Sequence, residues 1–245
     1  MYSGVYKIAG HVIQIDSAYP QVQTMCEAYR CEETPQMQIA VSRADIVYEQ
    51  EKNRQEAQLE GTTVEEYPAP YLESLAVYRK LAHAMLEKNT LLFHGSAIAV
   101  DGQAVLFTAK SGTGKSTHTR LWREMLGDRA VMVNDDKPLP RITEDGVLVC
   151  GTPWDGKHHL STNCAVPLKA ICILEQGDKN AIGAISPKEA LPMLLQQSFH
   201  PDGPAAMLRM MQAVDQLTKH LKFYRMACNM TPEAAVLSYR TMLEE

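Results

Sequence analysis

The sequence predicts an α/β fold: a mixed, hairpin-containing sheet with a glycine-rich loop at one strand-to-helix junction, preceded by a small β-rich segment. Two observations carry this prediction. The apolar run Ala104–Phe107 leads into the loop Ala109–Thr117, and a helical pattern follows the loop. The pair Asp101-Gly102 separates two apolar runs, which is typical of a type I′ hairpin turn, because both central residues of that turn need positive φ. The strand before the loop is therefore expected to belong to a hairpin.

The N-terminal part, residues 1–68, is predicted to be the β-rich segment, and residues 69–245 the larger domain that carries the loop. The charged stretch Glu49–Glu60 indicates a solvated hairpin or loop. Short strand-like runs lie at Val12–Ile15, Gln38–Val41 and Asp45–Tyr48.

From residue 69 onward, helical and strand-like patterns alternate. A capping box with proline at the first helical position, Ser186-Pro187-Lys188-Glu189, opens one of the helices. Helices are expected at about Tyr71–Lys88, Gly114–Leu126, Ser186–Phe199 and Pro204–Leu221, and after Thr231. Strands are expected at Leu91–Phe93, Ala97–Val100, Gln103–Phe107, Ala130–Val133, Leu139–Thr143, Val147–Cys150, Leu168–Leu174 and Phe223–Cys228.

Composition excludes several classes of protein. The 245 residues are 45% hydrophobic and 22% charged, and the formal net charge of −5 with no Lys/Arg cluster argues against nucleic-acid binding. No apolar window approaches the ~18 residues of a membrane span, and the first residues lack the apolar core of a signal peptide. Six cysteines without metal-ligand spacing fit a reduced, cytoplasmic compartment.

The loop matches the pattern G-x-x-x-x-G-K-[ST] except that Ala109 stands where the first glycine is usual, which fits only if this residue avoids positive φ. In such a P-loop, backbone N–H groups surround phosphate oxygens, the lysine reaches the β- and γ-phosphates, and the following hydroxyl ligates Mg²⁺. We therefore expect ATP and Mg²⁺ as cofactors. The residues expected to contact the nucleotide are Ser111, Gly112, Thr113, Gly114, Lys115, Ser116 and Thr117.

Two adjacent carboxylates follow the next predicted strand. One predicted helix and one predicted strand separate Lys115 from Asp135 and Asp136. This spacing returns the chain to the edge of the sheet where the loop lies. One carboxylate can hold Mg²⁺, together with Ser116, while the other accepts a proton from an attacking hydroxyl. Asp135 is the candidate metal ligand, but the sequence leaves open which of the two aspartates holds the metal and which is the base.

Other polar residues near the predicted site carry weaker signals. His94, just before the hairpin, is by itself more typical of a structural hydrogen-bonding residue than of a catalyst. The loop Gly151–Asn163 is rich in turn residues and is the expected acceptor-facing segment; its Trp154 could stack on a substrate or fill the base of the loop.

The order of these features resembles the catalytic domain of HPr kinase/phosphorylase, which shares its fold with ATP-dependent phosphoenolpyruvate carboxykinase. The resemblance rests on His94-Gly95, the hairpin, Ser111–Ser116 and Asp135-Asp136, and extends over about Leu91–Leu174. It implies phosphoryl transfer from ATP, with Lys115 and the two aspartates catalytic and His94 as the acid–base partner of the aspartate that acts as base. It also implies a homo-oligomer. Thr117 departs from the family, which has an acidic residue there, and the chain looks more like HPr-kinase-like proteins of peptide-modification systems.

The leading hypothesis is an ATP-dependent kinase acting on a hydroxyl of a protein, a peptide or a small molecule. The alternative is a nucleotide-dependent module that binds a peptide or protein without productive transfer. Carboxykinase activity is a third hypothesis, weakened by the short chain and by the lack of recognisable ligands for a second metal.

Overall fold

The structure, a computed structural model, describes residues 1–244 and divides into two units: the first is Met1–Ala84, and the second begins at Met85. The first unit contains the three-stranded sheet β1-β2-β3, in which β1 and β2 are antiparallel and β2 and β3 are parallel. The domain boundary after residue 68 stays a prediction. The elements that begin in this unit are β1 (Tyr2–Ile8), β2 (His11–Ser17), α1 (Gln21–Met25), β3 (Met37–Ala40), α2 (Arg43–Glu60) and α3 (Ala69–Leu86).

Two predictions for the first unit were wrong. The run Asp45–Tyr48 is not a strand and the stretch Glu49–Glu60 is not a hairpin or loop, because both belong to α2. The helix is favoured by a capping box in which Ser42 and Asp45 bond each other's backbone N–H groups. The residues that suggested a solvated loop are mostly good helix formers, so the charged face belongs to an exposed helix.

The second unit is built on an eight-stranded mixed sheet. Six strands follow the order β10-β11-β9-β5-β4-β6, while β8 pairs with both β7 and β9. Its strands are β4 (Ser96–Val100), β5 (Gln103–Thr108), β6 (Ala130–Asn134), β7 (Leu139–Thr143), β8 (Gly146–Cys150), β9 (Ala165–Gln176), β10 (Ala181–Ile185) and β11 (Lys222–Cys228). Its helices are α4 (Lys115–Leu126), α5 (Pro187–Gln197), α6 (Pro204–His220) and α7 (Pro232–Tyr239), and a π-helical turn follows at Arg240–Glu244.

The predicted mixed α/β fold is confirmed in this unit. The β4–β5 hairpin turns through Asp101 and Gly102, whose φ angles of 49° and 80° are those of the expected turn. Strand β10 was not predicted, since its Ala and Gly residues are poor strand formers. Leu91–Phe93 was predicted as a strand, but residues 90–93 form only isolated β-bridges, at Thr90 and Phe93.

Helices cover both faces of the sheet, which explains why β5 reads as a continuous apolar run rather than an alternating one. Val105 and Phe107 pack with α4 and α7, while Ala104 and Leu106 pack on the other face with α5 and α6. Because successive side chains of a strand point to opposite faces, both halves of the run are buried. The strand is thus fixed firmly at the point where the P-loop begins.

Candidate active site

The P-loop connects β5 to α4 at the carboxyl edge of the sheet. Gly112 and Gly114 have φ angles of 75° and 116°, in the region that favours glycine, and Gly114 is the N-cap of α4. Ala109 is fully buried and is not among the residues with positive φ, so its methyl group is accommodated. The departure from the usual first glycine is therefore compatible with the loop conformation.

Lys115 begins α4 and folds back over the loop, where its Nζ lies 3.4 Å from the carbonyl oxygen of Ala109. Partial burial lowers the pKa of Lys115, and Lys137 acts in the same direction, while Asp136 and Asp135 oppose the shift. Both carboxylates therefore lie near enough to the P-loop lysine to influence its pKa.

Asp135 is buried at the end of β6, and the hydroxyl of Ser96 donates a hydrogen bond to its Oδ1 over 2.6 Å. Ser96 also lies 3.1 Å from the hydroxyl of Thr119, which contacts the carbonyl oxygens of Lys115 and Ser116. This chain of hydroxyl groups links the carboxylate to the first turn of the P-loop helix. Sequence reasoning missed Ser96 and Thr119, because a buried serine or threonine gives no pattern of its own.

Asp136 is partly exposed and lies between two nitrogen-bearing side chains. His94 Nε2 is 3.3 Å and Lys137 Nζ 3.6 Å from its Oδ1. Burial and the charges of Lys137 and Lys115 lower the pKa of His94 to about 4, although Asp136 and Gln197 act against this. His94 is therefore neutral near pH 7, and it can share a hydrogen bond with Asp136 without holding a positive charge there.

Asn134 determines how the two aspartates leave the strand. Its Oδ1 accepts hydrogen bonds from the backbone N–H groups of Asp136 and Lys137, and its Nδ2 donates to the carbonyl and hydroxyl oxygens of Thr152. Such a side-chain turn ends the regular alternation of the strand. Asp135 and Asp136 can thus both serve one site.

The N–H of Gly95 donates to the carbonyl oxygen of Asp136 over 3.1 Å, which fixes the His94-Gly95 segment against the aspartates. A Cβ atom on Gly95 would lie 2.8 Å from Leu106 Cδ2 and 2.9 Å from the carbonyl oxygen of Phe107. Glycine is therefore required by the close approach of this segment to β5, which is a reason that the sequence alone does not show.

The loop Gly151–Asn163 follows β8 and borders the carboxylates, since the N–H of Asp135 donates to the carbonyl oxygen of Leu160. Trp154 is buried in this loop, and its carbonyl oxygen accepts from Asn134 Nδ2, which favours the reading that it fills the base of the loop. Lys157, His158 and His159 are exposed. Among residues 1–244, no cluster of three or more His, Cys, Asp or Glu side chains could hold a metal ion by itself.

A buried polar contact holds α4 against α7. Ser238 Oγ contacts His118 Nε2 and accepts from Trp122 Nε1, each over 2.9 Å, and donates within α7 to the carbonyl oxygens of Ala234 or Ala235. Burial lowers the pKa of His118 to about 4, so this contact is between neutral groups. This contact with α7 fixes the position of α4, the helix that follows the P-loop.

The structure brings four of the predicted residues to one edge of the sheet: Lys115, Asp135, Asp136 and His94. Ser116 and Thr117 lie in the first turn of α4 and are half-buried. Ser111 is exposed, and the hydroxyl of Thr113 is bonded to the carbonyl oxygen of Lys110 within the loop. The roles of all these residues remain predictions.

Oxygen ligands from a hydroxyl and a carboxylate, such as Ser116 and Asp135, suit the preference of Mg²⁺ for hard donors. A Cβ atom on Gly112 would meet nothing within 4 Å, so the loop is open on the side where phosphate oxygens would lie. The residues present therefore fit ATP with Mg²⁺.

No helix among residues 1–244 is long and apolar enough to cross a membrane, and no described cysteine forms a disulfide.

Comparison with known proteins identifies a family and similarity to solved structures. The family described as ScmC, SynChlorMet cassette protein ScmC, matches residues 72–242, more than half of the chain. No functionally curated protein matches. Among solved structures, the chain is similar to the Hpr(Ser) kinase/phosphatase from Coxiella burnetii, with 11% identity and a TM-score of 0.37, over 63% of this chain and 99% of that one.

Proposed function

The chain belongs to the ScmC family of SynChlorMet cassette proteins, and for this member we propose an ATP- and Mg²⁺-dependent kinase that transfers the γ-phosphate to a hydroxyl group. The observation that carries the proposal is the convergence of the P-loop lysine, the carboxylates of Asp135 and Asp136, and His94 at one sheet edge. The acceptor hydroxyl belongs to a protein, a peptide or a small molecule.

In this proposal the two aspartates have different tasks. Asp135, buried and fixed by the Ser96 hydroxyl, would hold Mg²⁺ together with Ser116. When bound, Mg²⁺ neutralises charge on the β- and γ-phosphate oxygens. Asp136, more exposed and beside a neutral His94, would accept the proton of the attacking hydroxyl.

Lys115 and the loop N–H groups would orient the triphosphate and stabilise the charge that develops during transfer. Most of the rate enhancement in phosphoryl transfer comes from positioning and electrostatics, with the base adding less. The loop Gly151–Asn163, which is bonded to the backbone at Asp135, would face the acceptor.

Calorimetric titration with ATP and Mg²⁺ tests the binding part of the proposal. We expect wild type to bind, Lys115→Ala to lose most of its affinity, and Lys110→Ala to bind like wild type. Lys110 is the matched control because it is an exposed lysine of the same loop. Equal affinities in wild type and Lys115→Ala would contradict the proposal.

Transfer of a radiolabelled γ-phosphate to acceptors in a cell extract tests the chemical part. Asp136→Asn should keep ATP binding but lower the rate of transfer by about 10²- to 10⁴-fold, the usual contribution of a general base. The control is Asp128→Asn, an exposed aspartate beyond α4. Binding without any Asp136-dependent labelling would instead favour the nucleotide-dependent binding module.

A further inference from the structure

The P-loop lies in the middle of the carboxyl edge of the sheet. Strands β5, β9 and β11 are parallel neighbours, so the P-loop after β5 lies beside Gln176–Asp178, where β9 ends, and Cys228–Met230, where β11 ends. On its other side lie the start of β4 and the end of β6, with His94 and the aspartates. In sheets of this kind, ligands bind outside the carboxyl ends of the parallel strands.

A cavity of about 560 Å³ opens on the side away from the aspartates. Its volume is within the usual range of ~300–1,000 Å³ for small-molecule sites. It is continuous with the P-loop, and none of the proposed catalytic residues lines it. The lining includes Gly112, Thr117, His118, Gln176, Asp178 and Met230.

The charge of the cavity differs from that of the phosphate side. Its lining contains no lysine or arginine, and Asp178 is its only carboxylate. His118 is neutral, because burial lowers its pKa to about 4. A polyanion is therefore better placed near Lys115 and Lys137, while the cavity suits an uncharged group that carries hydroxyls or amines.

The far wall of the cavity is already held together by hydrogen bonds. The N–H of Gly177 donates to the carbonyl oxygen of Cys228 over 3.0 Å, and Asn229 Nδ2 donates to that of Asp178 over 3.3 Å. Asn180 Oδ1 accepts from the N–H of Asn229 over 2.9 Å. The two segments thus form one wall, and little ordering is needed when a ligand binds.

We propose that this cavity is the nucleoside subsite: it holds the ribose and base of ATP, with the carboxylate of Asp178 as acceptor for ribose hydroxyls. This inference rests on the proposed function. It also sets the direction of the bound nucleotide, since the triphosphate then runs across the P-loop with its γ-phosphate toward Asp135 and Asp136 and its nucleoside toward β9 and β11.

Inorganic tripolyphosphate separates this inference from the proposed function, because it carries the phosphates without the nucleoside. Calorimetry with Mg²⁺ is carried out on wild type, Lys115→Ala, Asp178→Trp and Asp145→Trp. Asp178→Trp fills the cavity, and Asp145→Trp makes the same change at an exposed aspartate of the β7–β8 turn. We expect Asp178→Trp to weaken ATP binding by about tenfold or more, while tripolyphosphate affinity changes by less than about twofold. Asp145→Trp should bind both ligands like wild type, and Lys115→Ala should weaken both.

The outcomes are distinguishable. Two results would place the nucleoside elsewhere and overturn only this inference. In the first, tripolyphosphate binds through Lys115 and ATP binds no more tightly than tripolyphosphate. In the second, Asp178→Trp leaves the affinity for ATP unchanged. If wild type binds neither ligand, the proposed function and the inference are both overturned.

A second measurement needs no substitution. Cys228 lines the cavity, and burial raises the pKa of its thiol, so alkylation is slow but can be followed by mass spectrometry at alkaline pH. ATP with Mg²⁺ should slow the alkylation of Cys228 and tripolyphosphate should not. Equal rates with both ligands would overturn the inference.

Discussion

At the scale of single residues, the site depends on groups that carry no charge. Asn134 bends the chain so that Asp135 and Asp136 follow the strand end, and Ser96 fixes Asp135 from the neighbouring strand. Gly95 lets the backbone that carries His94 approach β5 closely. The charged residues thus have their geometry imposed by neutral neighbours, which is the usual way in which a site is preorganised.

The close approach at Gly95 leads to a residue-scale prediction. Gly95→Ala should reduce the free energy of unfolding by about 1–3 kcal/mol, because its Cβ would overlap the carbonyl oxygen of Phe107 and a side-chain atom of Leu106. Transfer activity should fall further than stability explains, since the backbone at position 95 is bonded to Asp136. Urea unfolding and the labelling assay measure the two effects.

The matched control for that change is Gly183→Ala. Gly183 lies in β10, where a Cβ atom would meet nothing within 4 Å, and its φ angle is not in the positive region. Its free energy of unfolding should stay within about 0.5 kcal/mol of wild type. If both alanine variants behaved alike, close packing at Gly95 would not be the cause.

The sequence was sufficient to predict that Lys115 and the two aspartates would lie at the same edge of the sheet, because loop, helix and strand follow one another at short spacing. It could not predict Asn134, Ser96 or Thr119 as parts of the site. Their roles come from hydrogen bonds between elements that are neighbours only in the folded sheet. A polar side chain in a strand gives no sign of its partner until the register is known.

At the scale of elements, helix α2 shows where pattern reading fails. The stretch Glu49–Glu60 has too little apolar periodicity to indicate a helix, and its charge favoured a loop. Polar contacts stabilise it instead: the local Ser42–Asp45 capping box, and ion pairs to Asp45 from Arg79 and Lys80 of the neighbouring helix α3. The capping box could have been found in the sequence, but the ion pairs could not.

Asp45 supplies an element-scale prediction. Burial alone would raise its pKa, but hydrogen bonds from Lys80 and from the backbone and hydroxyl of Ser42 outweigh this and hold the pKa well below its usual value. Asp45→Asn should therefore lower the free energy of unfolding by about 1–2 kcal/mol at pH 7, since it removes charge-assisted bonds. Urea unfolding followed by circular dichroism measures the loss.

The effect of this substitution should depend on pH in one direction. A carboxylate whose pKa is lower in the folded state stabilises the fold above its unfolded pKa of about 4, and that stabilisation is lost as the pH falls further. The difference between Asp45→Asn and wild type should thus be smaller at pH 3 than at pH 7. For Glu51→Gln, at an exposed position of the same helix, the difference from wild type should be the same at pH 3 and pH 7. If the difference for Asp45→Asn were also the same at both pH values, the argument would be refuted.

At the scale of the whole molecule, the chemistry is concentrated in the second unit. The P-loop, both aspartates, His94 and the 560 Å³ cavity all come from residues after Met85. Both tryptophans of the chain, Trp122 and Trp154, lie in the same unit, and both are buried. Trp122 packs behind the P-loop helix and Trp154 lies in the loop beside the aspartates, so tryptophan fluorescence reports on the unit that carries the site.

This distribution allows nucleotide binding to be measured as a change in stability. A ligand that binds only the folded state at about 100 times its Kd stabilises it by about 2.7 kcal/mol. For a unit of this size, that corresponds to an increase in melting temperature of about 5–10 °C. We expect ATP with Mg²⁺ to raise the tryptophan-monitored melting temperature of wild type and of Lys110→Ala by this amount, and to leave that of Lys115→Ala unchanged. The same shift in Lys115→Ala would mean that ATP stabilises the fold from a site other than the P-loop.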